Sequence, residues 1–127
     1  MLIVFVLAVV AQALGGCSWS PNAQIFSVYF EPYSAKLDLN GLETIQAAGR
    51  FAPGHPAMPV AVVGYAAPPD PQHDVERLSA QRAEVVKQAL LTDGLSATRI
   101  TTTAKGGIDP KTLPTVAVRR VDIDVGR

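Results

Sequence analysis

LSAQRAEVV, residues Leu78 to Val86, lies inside a longer helical pattern and holds one residue that does not fit it. At about 100° per residue, Val75, Leu78, Val85, Val86 and Ala89 share one stripe. Glu76, Arg77, Ala80, Glu84, Lys87 and Gln88 fall on the opposite side. Arg82 comes four residues after Leu78 and four before Val86, near the middle of the apolar stripe. A guanidinium does not shed its charge to enter a core, and burying it without a partner is expensive. Three outcomes stay open. Arg82 can snorkel out, pair with an internal carboxylate such as Asp70 or Asp74 in the preceding loop, or wait for an external anion. A planar fork suits a ligand carboxylate better than a lysine does.

Working outward, Asp74 is placed to cap this helix, which runs to about Thr92 and stops at Gly94, a left-handed C-cap. Before it, MPVAVVGYA is a short continuous apolar run that suits a strand buried on both faces, followed by the proline-rich loop APPDPQHD. After it, TRITTTAKG is rich in β-branched residues and reads as a strand. GIDPKTLP is a loop, and TVAVRRVDIDV alternates as the last strand, with Ala117, Arg119, Val121, Ile123 and Val125 on one face. Upstream, IFSVYFEP alternates through Phe26, Val28 and Phe30 and ends at Pro32. LDLNGLETIQAAGRFA then places Leu39, Leu42, Ile45, Ala48 and Ala52 at helical spacing, weakened by Gly41 and Gly49. PGHP, Pro53 to Pro56, breaks the chain after it. The order is strand, helix, strand, helix, strand, strand: an α+β sandwich of one mixed sheet with two helices on one face.

The chain has 127 residues, enough for one small domain. Eleven Lys plus Arg balance eleven Asp plus Glu, so no net field attracts nucleic acid. Met1 to Phe30 contains no charged residue. Within it, Leu2 to Leu14 is apolar except for Gln12 and shorter than the ~20 residues that span a bilayer. Small residues and the single cysteine follow, the layout of a secretory signal. No Lys or Arg precedes the run, a departure from the usual layout. LGGC, Leu14 to Cys17, resembles the bacterial lipobox; residues 1–16 are then a signal peptide and Cys17 the acylated N-terminus. Ser18 rather than an acidic residue follows, which resembles an outer-membrane address, and SWSPNAQ, Ser18 to Gln24, is a tether containing Trp19. Residues 25–127 form the domain.

Catalytic candidates are thin. His55 and His73 sit among loop residues, and no zinc-ligand spacing joins them to Cys17. No glycine-rich phosphate loop or Gly-x-Ser-x-Gly elbow occurs, so neither a cofactor nor an enzyme is expected.

LSAQRA, the Gly-Tyr strand end of VVGYAA, VYFEPYSAKL and RRVDI together resemble the OmpA-like periplasmic domain, a family that includes the peptidoglycan-associated lipoproteins. The resemblance runs from about Phe26 to Val125 and implies the β-α-β-α-β-β order read above. It also implies binding of uncrosslinked peptidoglycan stem peptides through meso-diaminopimelate, with Arg82 on the ligand carboxylate. The family places an Asp at the end of the second strand, near the ligand ammonium, and an Asn shortly before the Leu-Ser. Here those positions are Ala67 and Val75, and Val118 stands where an Asn or Asp often precedes the Arg-Arg pair. Asp70 or Asp74 is a candidate substitute for the lost carboxylate, Tyr33 and Tyr65 are candidates to line the site, and Leu78 and Arg119 complete the expected set. Two functions follow from the resemblance. One is an outer-membrane lipoprotein that grips peptidoglycan, weakly for want of the Asp. The other is a structural subunit of an envelope-spanning secretion or conjugation complex, with protein partners instead.

Overall fold

A computed structural model describes residues 23–52, 58–108, 111 and 114–126. The signal-like run, Cys17, Trp19 and His55 lie outside the described residues. The elements are β1 (Gln24–Tyr29), α1 (Leu39–Phe51), β2 (Val60–Ala66), α2 (Val75–Thr92), β3 (Ile100–Gly107) and β4 (Arg120–Val125). They form one mixed sheet in the order β1-β4-β2-β3, β4 antiparallel to both neighbours and β2 parallel to β3. No helix among the described residues is long and apolar enough to cross a membrane.

Register sets which side chains meet. Val28 and Gly64 flank Val121, and Phe26 and Val62 flank Ile123. This row faces Ile45 and Ala48 of α1 and Ala83, Val86 and Leu90 of α2 in one core. The intervening residues, Ser27, Val63, Tyr65, Arg120 and Asp122 among them, stand on the other face, which no helix among the described residues covers. β2 is thus buried on one face and half-buried on the other, less enclosed than its apolar run suggested.

Gly64 fixes the seat of α2. A Cβ there would lie 2.2 Å from the Ser79 carbonyl oxygen and 3.1 Å from Ala83 Cβ, so helix backbone rests directly on the strand. Ser79 is fully buried; its hydroxyl donates to the Glu76 carbonyl (2.8 Å) and accepts from the Gly106 amide (3.0 Å). Asp74 caps the helix start through the Arg77 amide at 3.0 Å. At its end, Gly94 (φ 98°) takes the left-handed position, with Gly94 N–H to Leu91 O and Leu95 N–H to Leu90 O, a Schellman closure.

Two readings of the sequence need correction. Leu39 and Leu42 are 78% and 39% exposed instead of lying on the core stripe of α1. Gly41 turns inward there, where a Cβ would stand 3.1 Å from Val28 Cγ1, and the close approach swings both leucines outward. The last strand begins at Arg120, because Thr115–Val118 form a 3-10 turn after Pro114. That turn buries Val118 and leaves Ala117 outside any strand face.

Candidate functional site

Arg82 projects from the middle of α2 into the junction between the end of β2 and the turn after β1. Its side chain is fully buried, with 0% exposure, the largest such side chain among the described residues. Nε donates to Ser34 O at 2.7 Å, Nη1 to Tyr65 O at 3.1 Å and Nη2 to Glu31 O at 3.0 Å. The guanidinium carbon also lies 5.2 Å from the Phe30 ring centroid. Of the outcomes left open by the sequence, neither snorkelling nor pairing with Asp70 or Asp74 occurs: backbone carbonyls hold the group. Among the described residues no carboxylate forms a salt bridge with it. Burial, and then the charge of Arg119, lower its pKa from the ordinary arginine value to about 10, which leaves it a cation at neutral pH.

Arg119 grips the same turn from the other side, Nε donating to Phe30 O at 3.1 Å and Nη1 reaching Thr115 Oγ1 at 3.4 Å. Two like charges therefore converge on Phe30 to Ser34. Tyr65 contributes through its carbonyl alone on this side. Its ring stands on the open face under Arg120, 4.5 Å from the guanidinium carbon, so it does not line the Arg82 corner as expected. Leu78 packs with Ala66 and Val75 in a small satellite core, where it serves packing. Val75, where an Asn was anticipated, is buried there too.

The β2–α2 loop forms the rim. Ala67 is half-buried directly after β2 and offers no charge. Asp70 accepts from the Gln72 amide (2.8 Å), from His73 Nδ1 (2.6 Å) and from the Tyr33 hydroxyl (3.1 Å). Those bonds, the amide first and His73 next, hold its carboxyl below the usual value, and Asp70 in turn raises the Tyr33 phenol. Tyr33 stacks on His73 with centroids 3.8 Å apart and 18° between planes. Asp74 is spent on its cap. The structure thus brings Arg82, Arg119 and the carbonyl of Tyr65 together, and sets Asp70 at the rim inside its own bonds. Glu31 and Ser34 were missed because a carbonyl leaves no side-chain signature. Tyr33–His73 stacking was missed because it joins two irregular loops. Beside the turn a cleft of about 440 Å³ opens, with Lys36, Leu37, Leu39 and Leu42 on its walls. Among the described residues no group of His, Cys, Asp or Glu side chains could hold a metal.

A four-stranded mixed sheet with two helices on one face, and an arginine of the second helix closing the strand ends, defines a β-α-β-α-β-β sandwich class. The chain belongs to the OmpA family, whose model matches residues 29–123. Among solved structures it resembles the OmpA-like domain of FopA1 from Francisella tularensis subsp. tularensis SCHU S4. That likeness has 22% identity and a TM-score of 0.71, covering 80% of this chain and 71% of that one. The peptidoglycan-associated lipoprotein from Burkholderia pseudomallei is similar at 22% identity and a TM-score of 0.68, covering 78% of this chain and 88% of that one. The periplasmic domain of Helicobacter pylori MotB is similar at 17% identity and a TM-score of 0.69, with 85% and 78% covered. At these identities the likeness is one of fold. Among curated proteins, no relative matches.

Proposed function

We propose that this OmpA-family chain is an exported binding module, anchored to the outer membrane by acyl chains on Cys17, that associates non-covalently with peptidoglycan. It is not an enzyme on this reading. The ligand is the diaminopimelate of uncrosslinked stem peptides, its side-chain carboxylate directed at Arg82. One observation carries the reading: a buried guanidinium beside a second one, Arg119, with no salt-bridged carboxylate among the described residues. Carbonyl dipoles solvate such a charge without neutralising it, and an entering carboxylate does both. Family membership and a fold neighbour named for peptidoglycan association support peptidoglycan as the partner. With Ala67 in place of an acid, the ammonium end lacks a charge-assisted contact of roughly 1.5–3 kcal/mol, so affinity is low.

The test is sedimentation with purified sacculi, comparing wild type with Arg82→Ala after circular dichroism has shown both folded. Wild type should pellet and the variant stay in the supernatant; wild type in the supernatant refutes the reading. Palmitate labelling of wild type but not of Cys17→Ser tests the anchor.

A second reading has its own observation. Full burial of Arg82 under three carbonyls is what a purely structural arginine shows, and it favours a subunit of an envelope-spanning secretion or conjugation complex. Stoichiometric envelope partners recovered after mild detergent extraction, with no sacculus binding, would select it.

A further inference from the structure

The turn that hides Arg82 is held shut by contacts made outside it. Two of the carbonyls on the guanidinium, those of Glu31 and Ser34, belong to one tight turn closed by Ser34 N–H to Glu31 O at 3.2 Å. Tyr33, between them, has φ 54°, the one positive value at a non-glycine residue among those described. A tyrosine in that region is strained by about 1–2 kcal/mol and stays there only where its surroundings compensate. The compensation comes from the β2–α2 loop, through the His73 stack at 3.8 Å and the hydroxyl bond to Asp70 at 3.1 Å. Asp70 is itself fixed by His73 Nδ1 and the Gln72 amide, so the receiving side is rigid. Yet the ring is 48% exposed, and nothing in the core depends on it. Strain inside the turn and a surface latch outside it oppose each other directly over the buried cation.

We propose that Tyr33 is the gate of the Arg82 corner. Latched on His73 and Asp70, it keeps the Glu31–Ser34 turn on the guanidinium. When the latch opens, the turn swings away and a ligand carboxylate takes the donors that the Glu31 and Ser34 carbonyls release, while the Tyr65 carbonyl keeps Nη1. This rests on the proposed diaminopimelate reading for the identity of the ligand, but the gate itself is defined without one. Tyr33 is a positioning residue here, since it acts through the turn and the arginine beneath it.

The experiment reads the gate and the ligand separately. Nitrogen-15 NMR of the full chain follows solvent exchange of the Arg82 Nε–H, which is bonded to Ser34 O in the closed state. Tyr33→Ala should accelerate that exchange about tenfold, the loss of one stack and one hydrogen bond. Tyr33→Phe, which keeps the stack, should fall between, and amides of β4 should exchange as in wild type. The association rate of a diaminopimelate-containing tripeptide should rise in the order wild type, Tyr33→Phe, Tyr33→Ala. Unchanged Arg82 exchange in both variants overturns the gate, as does faster exchange with slower association. If the tripeptide binds none of the three, the ligand reading falls, and the exchange rates alone decide whether Tyr33 holds the turn.

Discussion

On the open face of the sheet, Arg120 stacks on the Tyr65 ring, and its Nε is shared between both Asp122 oxygens at 3.1 Å, with Ser27 donating to Asp122 as well. On the helix face, Arg82 reaches the end of the same strand and meets the Tyr65 carbonyl, the Glu31 and Ser34 carbonyls, and the field of Arg119. The Arg120 web is electrically complete and partly solvated, and it needs nothing more. In the Arg82 corner each guanidinium nitrogen has one carbonyl acceptor, three of its five N–H groups being used, and no carboxylate answers the charge. A fold that wanted only a staple could have used a neutral donor there. That contrast is why Arg82, and not Arg120, is read as the group that takes a ligand.

Removing each arginine should separate the two corners most strongly. Arg82→Ala leaves three carbonyls without their donor and opens a cavity, costing about 3–5 kcal/mol of unfolding free energy. Arg120→Ala removes a mostly buried pair, 27% and 14% exposed, and a cation–π contact, costing about 2 kcal/mol. Urea titrations with equal m values check both; similar losses would erase the distinction.

Changes of pH give smaller, sharper contrasts. Because Arg82 has its pKa lowered to about 10, its folded form is the weaker proton binder. Its burial cost is present at every pH below that value. Arg82 therefore contributes no slope to stability between pH 6 and 9, and wild type should be flatter there with respect to this group than any titrating buried base would make it. A chemical denaturation series from pH 6 to 9 should show parallel stability profiles for wild type and Arg82→Met; a slope lost in the variant would assign a titration to this group.

Asp70 has the opposite sign. Its folded pKa lies below the ordinary 3.8, so its stabilising bonds are intact above that value and are lost as pH falls through the lower folded one. Acid should loosen the Tyr33 latch before it unfolds the core. Tyrosine fluorescence or near-ultraviolet dichroism would register a transition below pH 3.8 that Asp70→Asn lacks. Equal acid profiles would separate Asp70 from the latch.

Much of this was legible in the chain because the signature residues are all buried at one junction. Ser79 and Ala83 meet the strand at Gly64, Leu78 packs on Ala66 and Arg82 reaches the Tyr65 carbonyl, and a pattern of apolar, small and charged residues at helical spacing announces those contacts. The caps at Asp74 and Gly94 were equally plain, since each follows from local backbone chemistry. What the pattern could not carry was anything decided by backbone oxygens or by approach distance. Arg82 found carbonyls of Glu31, Ser34 and Tyr65, which any residue type supplies. Leu39 and Leu42 left the core because Gly41 came close to Val28, a packing event that period counting treats as a defect. Tyr65, a candidate to line the site, meets Arg82 through its carbonyl while its ring stands under Arg120 on the other face.

The central claim is that the uncompensated charge of Arg82 is a carboxylate site, and it is tested most directly by changing the ligand and leaving the protein intact. Isothermal titration of the full chain would compare a stem tripeptide bearing free diaminopimelate with the same peptide amidated at its side-chain carboxylate. Loss of that charge-assisted bond should weaken binding by at least about tenfold. Equal affinity for the two peptides would contradict the account and leave Arg82 a structural staple.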